Sequence, residues 1–128
     1  MIADAIKQAR QMHRSIIEQT YDGACTIYVQ QEATDPVTKL TVTQEEPAAE
    51  QIPCRLSFSS SPATEESDTT ATAAQTIKLF LAPEQEIPPG CRIEVSQNGR
   101  TESYAQSGQA AVYFSHQEIT LELWKGWT

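Results

Sequence analysis

Few side chains in this sequence could act as nucleophiles, general bases or metal ligands. The chain has two histidines, His13 and His116, and three cysteines, Cys25, Cys54 and Cys91. A Cys–His nucleophile pair would need Cys54 or Cys91 beside His116, and the spacing gives it no support. No C-x-x-C or H-x-x-x-H motif is present, so a zinc site would need ligands from distant segments. We expect each cysteine to be a small buried apolar residue of a strand.

The remaining polar residues also lack a catalytic pattern. We expect His13, on the apolar face of a predicted helix, to be a packing residue. Ser115 and His116 are adjacent, but a catalytic triad depends on spatial geometry that adjacency does not supply. The pairs Glu45–Glu46 and Glu65–Glu66 lie in polar segments and are typical of solvated charge. Phosphate-binding glycine motifs are absent. From these observations together we expect that the chain is not an enzyme, has no catalytic residues, and binds no metal or cofactor.

Length and charge restrict the class of protein further. The 128 residues fit one domain, 1–128, and the net charge of −8 opposes general binding to phosphate backbones. No run of 18 apolar residues exists, which excludes a membrane-spanning helix. The N-terminus lacks a basic-then-apolar export signal, so we expect the chain to stay in the cytosol where it is made. The odd cysteine count argues against a disulfide framework.

The first 21 residues predict an amphipathic helix. Apolar residues and one histidine recur at steps of three and four, which places them on one helix face: Ile2, Ile6, Ala9, His13, Ile16 and Ile17. Gly23 is a plausible stop signal. Such a face must pack on the rest of the domain or on a partner.

From residue 24 to 124 the apolar period changes to two, which indicates strands. Asn98-Gly99 is the strongest local signal, because both residues tolerate the positive φ of a two-residue hairpin turn. Seven or eight short strands after one helix predict a mainly β fold, a small antiparallel β-barrel whose closure removes free edges. The predicted strands centre on residues 25–29, 40–42, 52–58, 77–81, 92–97, 100–104, 111–115 and 118–124.

Residues 59–75 interrupt the strand pattern. The segment contains no bulky apolar side chain, so it cannot bury enough surface to offset its ordering entropy. We expect a flexible polar loop. Loops of this length in compact domains are usually functional or disordered.

Several strand segments resemble a known family of phage proteins. The resemblance runs from about Tyr21 to Leu123 and includes Tyr21-Asp22-Gly23, Pro53-Cys54-Arg55-Leu56-Ser57-Phe58, Ile77-Lys78-Leu79-Phe80-Leu81, Ile87-Pro88-Pro89-Gly90-Cys91 and Ser115-His116-Gln117-Glu118. These motifs resemble the minor capsid, or head-closure (stopper), proteins of the head–tail connector in long-tailed phages and related prophages. The resemblance implies a structural virion protein at the head–tail interface, made in the cytoplasm of a bacterial host.

The resemblance also implies partner proteins and a loop that helps to close the channel. The chain would be a monomer when isolated and would join a ring, expected to be dodecameric, below the portal and adaptor proteins. The ring would retain packaged DNA through indirect contact and offer a docking surface to tail proteins, with no membrane involved. In that family the loop between the third and fourth strands helps to close the channel. Here it corresponds to Ser59–Gln75, with Ser59, Ser60, Pro62, Glu65, Glu66, Asp68 and Thr70 as the gating residues; a plain disordered insertion is the alternative.

Two aromatic residues at the C-terminus and the predicted helix are the candidate partner surfaces. Trp124 and Trp127 either cap the barrel end or anchor a partner ring. Ile16 and Ile17, on the helix face, either dock on a neighbouring subunit or pack on the chain's own barrel.

Two other functions remain open. A small barrel can bind oligonucleotides through aromatic platforms in a basic groove, and Tyr28, Phe80, Tyr104 and Tyr113 could supply stacking, although the negative charge opposes binding. Another tail-completion role in the same assembly is the second alternative.

Overall fold

A computed structural model describes residues 1–61 and 74–127 of the chain. One helix is followed by seven strands: α1 (Ile2–Glu18), β1 (Gly23–Thr34), β2 (Thr41–Ser61), β3 (Ala74–Leu81), β4 (Arg92–Gln97), β5 (Arg100–Gln106), β6 (Ala111–Val112) and β7 (Gln117–Leu123). Within these two ranges, no helix has both the length and the apolar character needed to cross a membrane.

The strands form one antiparallel sheet that closes on itself. Their order is β3-β2-β1-β4-β5-β7-β6, and β3 also pairs with β7 from Ile77↔Leu121 to Leu81↔Gln117. This last pairing joins six strands in a ring and removes their free edges there. The two-residue β6 pairs with the start of β7. The predicted fold class is therefore confirmed: mainly β, closed and antiparallel, with an N-terminal helix.

The core lies inside the ring and is built from alternate strand residues. Its apolar members are Cys25, Ile27, Ile52, Cys54, Leu56, Leu79, Leu81, Cys91, Ile93, Val95, Tyr104, Ile119 and Leu121. The three cysteines are exposed by 3% or less and form no disulfide. This confirms their prediction as small core residues.

β2 is much longer than the sequence pattern indicates. Apart from Leu40, the predicted segments 40–42 and 52–58 belong to one strand of 21 residues, Thr41–Ser61. It pairs with β1 from Gly23↔Cys54 to Thr34↔Thr41. The ladder continues because backbone hydrogen bonds do not need apolar side chains. Pro47 and Pro53 are tolerated because, among residues 1–61 and 74–127, the part of β2 before Cys54 pairs with β1 only, on one of its two edges.

The helix ends earlier than Gly23, and Gly23 has a different role. α1 stops at Glu18, and the Thr20 hydroxyl donates to the Ile17 carbonyl at 2.6 Å. Gly23 is the first residue of β1, between Cys54 of β2 and the end of β4. The prediction that Gly23 stops the helix is therefore wrong. No residue of α1 is buried.

The predicted loop 59–75 is also shorter than expected. Ser59 pairs with Thr76 and Ser60 with Gln75, and the pairing extends to Ser61↔Ala74. Ser59 and Ser60 are therefore strand residues and not loop residues. The other predicted gating residues lie outside the described part of the chain: Pro62, Glu65, Glu66, Asp68 and Thr70.

Candidate functional site

The β2–β3 hairpin extends beyond the closed ring. β3 pairs with β2 along its whole length, but it pairs with β7 only as far as Ile77. Residues 58–61 and 74–76 therefore continue past the closing pair of strands as a two-stranded segment, which we call the stem. Phe58, at its base, is 54% exposed. The stem therefore lies beyond the part of β3 that pairs with β7.

A second hairpin extends from the ring between β1 and β2. β1 pairs with β4 only from Ala24 to Tyr28, whereas its pairing with β2 continues to Thr34↔Thr41. We call residues 29–46 the arm. At its tip the Asp35 carboxylate accepts hydrogen bonds from the backbone N–H of Val37 (2.8 Å) and Thr38 (3.4 Å). These bonds stabilise the charged form and lower the pKa of Asp35 below its ordinary value.

The two C-terminal tryptophans pack against the base of the arm. Their rings meet edge to face with centroids 4.7 Å apart, and the Trp127 Nε1 donates to the Glu45 Oε2 at 3.1 Å. The Trp124 N–H donates to the Ser103 carbonyl at 3.1 Å, beside the end of β7. Both indoles stay half-buried and line a surface cavity of about 470 Å³ with the loop before β4. Trp124 and Trp127 thus form one aromatic surface that is partly exposed.

An ion pair supports this aromatic surface. Arg92 donates to Glu45 through Nη2 (2.6 Å) and Nε (3.0 Å), and its guanidinium lies 4.2 Å from the ring centroid of Tyr28. The hydrogen bonds from Arg92, more than those from Trp127, lower the pKa of Glu45. β2, β4 and the C-terminus are therefore joined at one point.

α1 lies on the outer surface of the strand ring and contacts it through a few side chains. Arg14 donates through Nη2 to the Glu84 Oε2 at 2.8 Å and through Nε to the Glu18 Oε2 at 3.1 Å. The Phe114 ring lies 5.5 Å from the His13 ring and 5.4 Å from the Arg10 guanidinium. His13 is otherwise exposed, so its prediction as a packing residue holds only for this one contact.

The two helix residues predicted to form an interface are partly separated. Ile17 is half-buried, whereas Ile16 is 59% exposed. Both line a groove of about 260 Å³ between the end of α1 and the ring, together with Tyr21, Phe80 and His116. The Tyr21 hydroxyl is buried in the described part of the chain without a hydrogen-bond partner. The groove is therefore mostly apolar.

A short hydrogen-bond network that the sequence did not reveal joins the side chains of Ser115, His116 and Glu118. The Ser115 Oγ lies 2.9 Å from His116 Nδ1, and His116 Nε2 lies 2.9 Å from the Glu118 Oε2. The sequence signal is the two-residue spacing of His116 and Glu118 around the start of β7. Ser115 is 2% exposed, so its hydroxyl has no surface to offer a substrate. These hydrogen bonds stabilise the turn between β6 and β7, in which the Tyr113 N–H donates to the His116 carbonyl at 2.8 Å.

The residues considered for base stacking do not form a platform. Tyr104 is a core residue, 4% exposed, and Arg92 lies over the ring of Tyr28. Tyr113 stacks on His116 with centroids 5.0 Å apart, and Phe80 lies 5.7 Å from the same imidazole. In residues 1–61 and 74–127, no group of three or more His, Cys, Asp or Glu side chains could hold a metal ion.

Comparison with known proteins gives one structural similarity. No family model matches the sequence, and no curated protein matches it. Among solved structures, the chain is similar to the phage-like element PBSX protein xkdH from Bacillus subtilis, with 12% identity and a TM-score of 0.45. The similarity covers 78% of this chain and 91% of the other. At this degree of similarity the comparison assigns no function.

Proposed function

We propose that the chain is a structural component of a phage head–tail connector, which closes the filled head and offers a surface to the tail. It works as a ring of copies beneath the portal and adaptor proteins. It carries out no catalysis and has no cofactor. The proposal starts from the family resemblance of the segments between Tyr21 and Leu123, and the geometry of one hairpin supports it.

The observation that carries the proposal is the stem. Its register is continuous from Cys54↔Leu81 to Ser61↔Ala74, so the hairpin is anchored in the closed ring at one end. The same two strands then leave the ring, because β7 stops pairing with β3 at Ile77. The stem is therefore held by the ring at its base. Copies arranged in a circle would point their stems at the same place.

The charge of the segment suits a gate and not a DNA anchor. Between Ser61 and Ala74 the sequence contains Glu65, Glu66 and Asp68 and no basic residue. Repeated around a ring, these carboxylates would surround a channel with negative charge, which repels phosphate groups. Such a segment can block the passage of DNA without binding it.

The aromatic surface formed by Trp124 and Trp127 is a separate face for a partner. It lies at the base of the arm and not on the stem, because Trp127 bonds to Glu45. Half-buried indoles provide a rigid apolar anchor with a polar N–H, a combination that is common at interfaces. We assign this face to the portal–adaptor side or the tail side of the ring.

Substitution of the acidic segment tests the proposal. Particles would be assembled with the variant Glu65→Gln/Glu66→Gln/Asp68→Asn, and the fraction that retains DNA would be measured by electron microscopy and nuclease protection. We expect the variant to be incorporated normally and to lose DNA from filled heads. The matched control, Glu86→Gln/Glu102→Gln/Glu122→Gln, removes three exposed carboxylates outside the segment and should retain DNA.

Two results would reject the proposed function. The first is absence of the chain from the connector of mature particles. The second is full retention of DNA when residues 62–73 are replaced by a two-residue Asn-Gly turn that preserves the stem.

A further inference from the structure

The pairing of β1 with β2 is irregular where the arm leaves the ring. Two shifts of register interrupt it before Tyr28. Between the pairs Cys25↔Ile52 and Ile27↔Ala49, two residues of β2 lie opposite one residue of β1, and a further extra residue of β2 lies opposite the step from Ile27 to Tyr28. Extra residues of this kind are β-bulges, which bend a strand and interrupt its ladder of hydrogen bonds.

One bulge residue has a backbone conformation that residues other than glycine rarely adopt. Gln51 has a φ of 53°, in the left-handed region where a Cβ is unfavourable. Beyond the bulges the pairing is regular from Tyr28↔Pro47 to Thr34↔Thr41. The arm is therefore a regular two-stranded ribbon that joins the ring through an irregular segment, residues 26–28 and 48–51, which we call the bulged base.

Glu45 connects the arm to the ring. Among the described residues, the side-chain hydrogen bonds between the arm and the rest of the chain all end on this carboxylate. They come from Arg92 at 2.6 and 3.0 Å and from the Trp127 Nε1 at 3.1 Å. Arg92 is itself fixed in the ring, because its Nη1 donates to the Ser103 Oγ at 2.7 Å. The Glu45 carboxylate thus ties the arm to β4 and to the C-terminal segment.

Apolar burial contributes little to the direction of the arm. Its larger apolar side chains are exposed, Val37 by 86%, Leu40 by 65% and Val42 by 40%. A two-stranded ribbon without a packed face depends on the contacts at its base for its orientation. The side chain of Glu45 is itself partly exposed, and ion pairs at such positions are weak enough to open and close reversibly.

We propose that the arm turns as one body on the bulged base, and that the contacts of Glu45 with Arg92 and Trp127 hold it in the observed orientation. Hinge movements are absorbed by a few residues that change φ and ψ, and the bulged base supplies such residues. The ring stays closed when the contacts open, because β1 remains paired with β4 from Ala24 to Tyr28. The inference concerns the isolated chain and does not depend on the proposed function.

Distances between two spin labels, measured by pulsed electron paramagnetic resonance, test the inference. The native cysteines are exposed by 3% or less, so labels should react at Val37→Cys on the arm and Arg100→Cys on the ring, both exposed positions. We expect one narrow distance distribution from this pair. Glu45→Ala should broaden it and shift part of it to new distances, and Trp127→Phe, which removes only the N–H, should do so less. The matched control Glu32→Ala removes another exposed carboxylate of the arm and should leave the distribution unchanged.

Two further label pairs show which part of the molecule moves. Gln31→Cys/Val37→Cys lies within the arm, and Arg100→Cys/Glu122→Cys lies within the ring, all at exposed positions. We expect both distributions to stay unchanged in Glu45→Ala, because the arm and the ring each move as one body.

Four results would overturn the inference. The first is a broad arm-to-ring distribution before any change at Glu45, and the second is an unchanged distribution in Glu45→Ala. The third is equal broadening in Glu32→Ala. The fourth is an equal change within the arm pair or the ring pair, which would show that Glu45 supports the fold of that part and not the orientation of the arm.

Discussion

Gly23 lies where the side chain of Gln97 passes across β1. A Cβ at this position would be 2.9 Å from the Gln97 Oε1 and 3.2 Å from the carbonyl oxygens of Cys54 and Ser96. The Gln97 amide reaches β2, where it accepts from the Leu56 N–H at 2.8 Å and donates to the Leu56 carbonyl at 3.2 Å. Gln97 thus joins β4 to β2 across the strand between them, and glycine leaves the space for it.

Gly23→Ala should destabilise the fold by about 1–3 kcal/mol, because the added methyl group displaces Gln97 from Leu56. Gln97→Ala should cost a similar amount, since it leaves the Leu56 backbone groups without this partner. The double variant should cost clearly less than the sum, because both changes break the same contact. Urea unfolding measures all three, and strictly additive costs would contradict this account of Gly23.

The ion pair of Glu45 and Arg92 predicts a pH dependence. Hydrogen bonds from Arg92 hold the pKa of Glu45 below its ordinary value of 4.5. A carboxyl group whose pKa is lowered by folding stabilises the fold above its unfolded pKa, and this contribution is lost as the pH falls through the folded pKa. Glu45 is about one-third exposed, so we expect a loss of at most about 1 kcal/mol on acidification below about pH 4.5.

Glu45→Gln should reduce the decrease in the free energy of unfolding at acid pH. Urea unfolding at a series of pH values measures this. Glu50→Gln removes a carboxylate of β2 that is not among the hydrogen-bond partners of Arg92, and serves as the control. An equal reduction in both variants would show that general charge, and not the pair with Arg92, causes the dependence.

At the scale of residues, the sequence predicted the core better than the site. The buried cysteines followed from alternation with apolar neighbours, because core residues leave a periodic pattern. Gln97 was missed because a hydrogen bond from its side chain to the distant backbone of Leu56 leaves no such pattern. Glu118 was missed because a two-residue spacing from His116 does not by itself indicate a hydrogen bond. The contact between Trp127 and Glu45, 82 residues apart, is of the same kind.

At the scale of elements, local signals succeeded where the chain itself determines the geometry. Asn98 and Gly99 have φ values of 54° and 77°, and the strands on either side pair from Gln97↔Arg100, as the Asn-Gly signal predicts. The length of β2 was missed because the arm has little core to cover. Its strand residues from Thr41 to Glu46 therefore show no alternation between apolar and polar side chains.

The helix should be the first element to separate from the body. Its contacts with the described body include the exposed ring of Phe114 and the ion pair with Glu84, and no residue of α1 is buried. We expect Phe114→Ala/Glu84→Gln to accelerate amide hydrogen exchange across Ile2–Glu18 while exchange in β1, β4 and β7 stays unchanged. The control Val112→Ala alters a neighbouring exposed residue. Slower exchange or simultaneous loss of protection in β7 would contradict this description of α1.

At the scale of the whole molecule, we expect closure to make the ring unfold as a single cooperative unit. Leu79 and Ile119 face each other across the β3–β7 pairing and are both 0% exposed. Residues from the middle and the end of the chain meet there, so no local signal could reveal the pairing. Closure was expected only because a small chain with many strands would otherwise leave free edges.

Ile119→Val should therefore lower the stability of the whole ring, by about 0.5–1.5 kcal/mol. Unfolding followed by tryptophan fluorescence and by far-UV circular dichroism should give coincident transitions. The control Val37→Ala lies at the tip of the arm, where the side chain is 86% exposed, and should change stability by no more than about 0.5 kcal/mol. Separate transitions for the two probes would show that the ring does not unfold as a unit.

Electron cryo-microscopy of DNA-filled particles assembled with this chain tests its proposed role most directly. The account predicts a circle of closed strand rings below the portal and adaptor, with each stem directed at the channel axis and the segment 62–73 narrowing the channel. Mature particles that lack the chain, or a circle in which the stems point away from the axis, would contradict it.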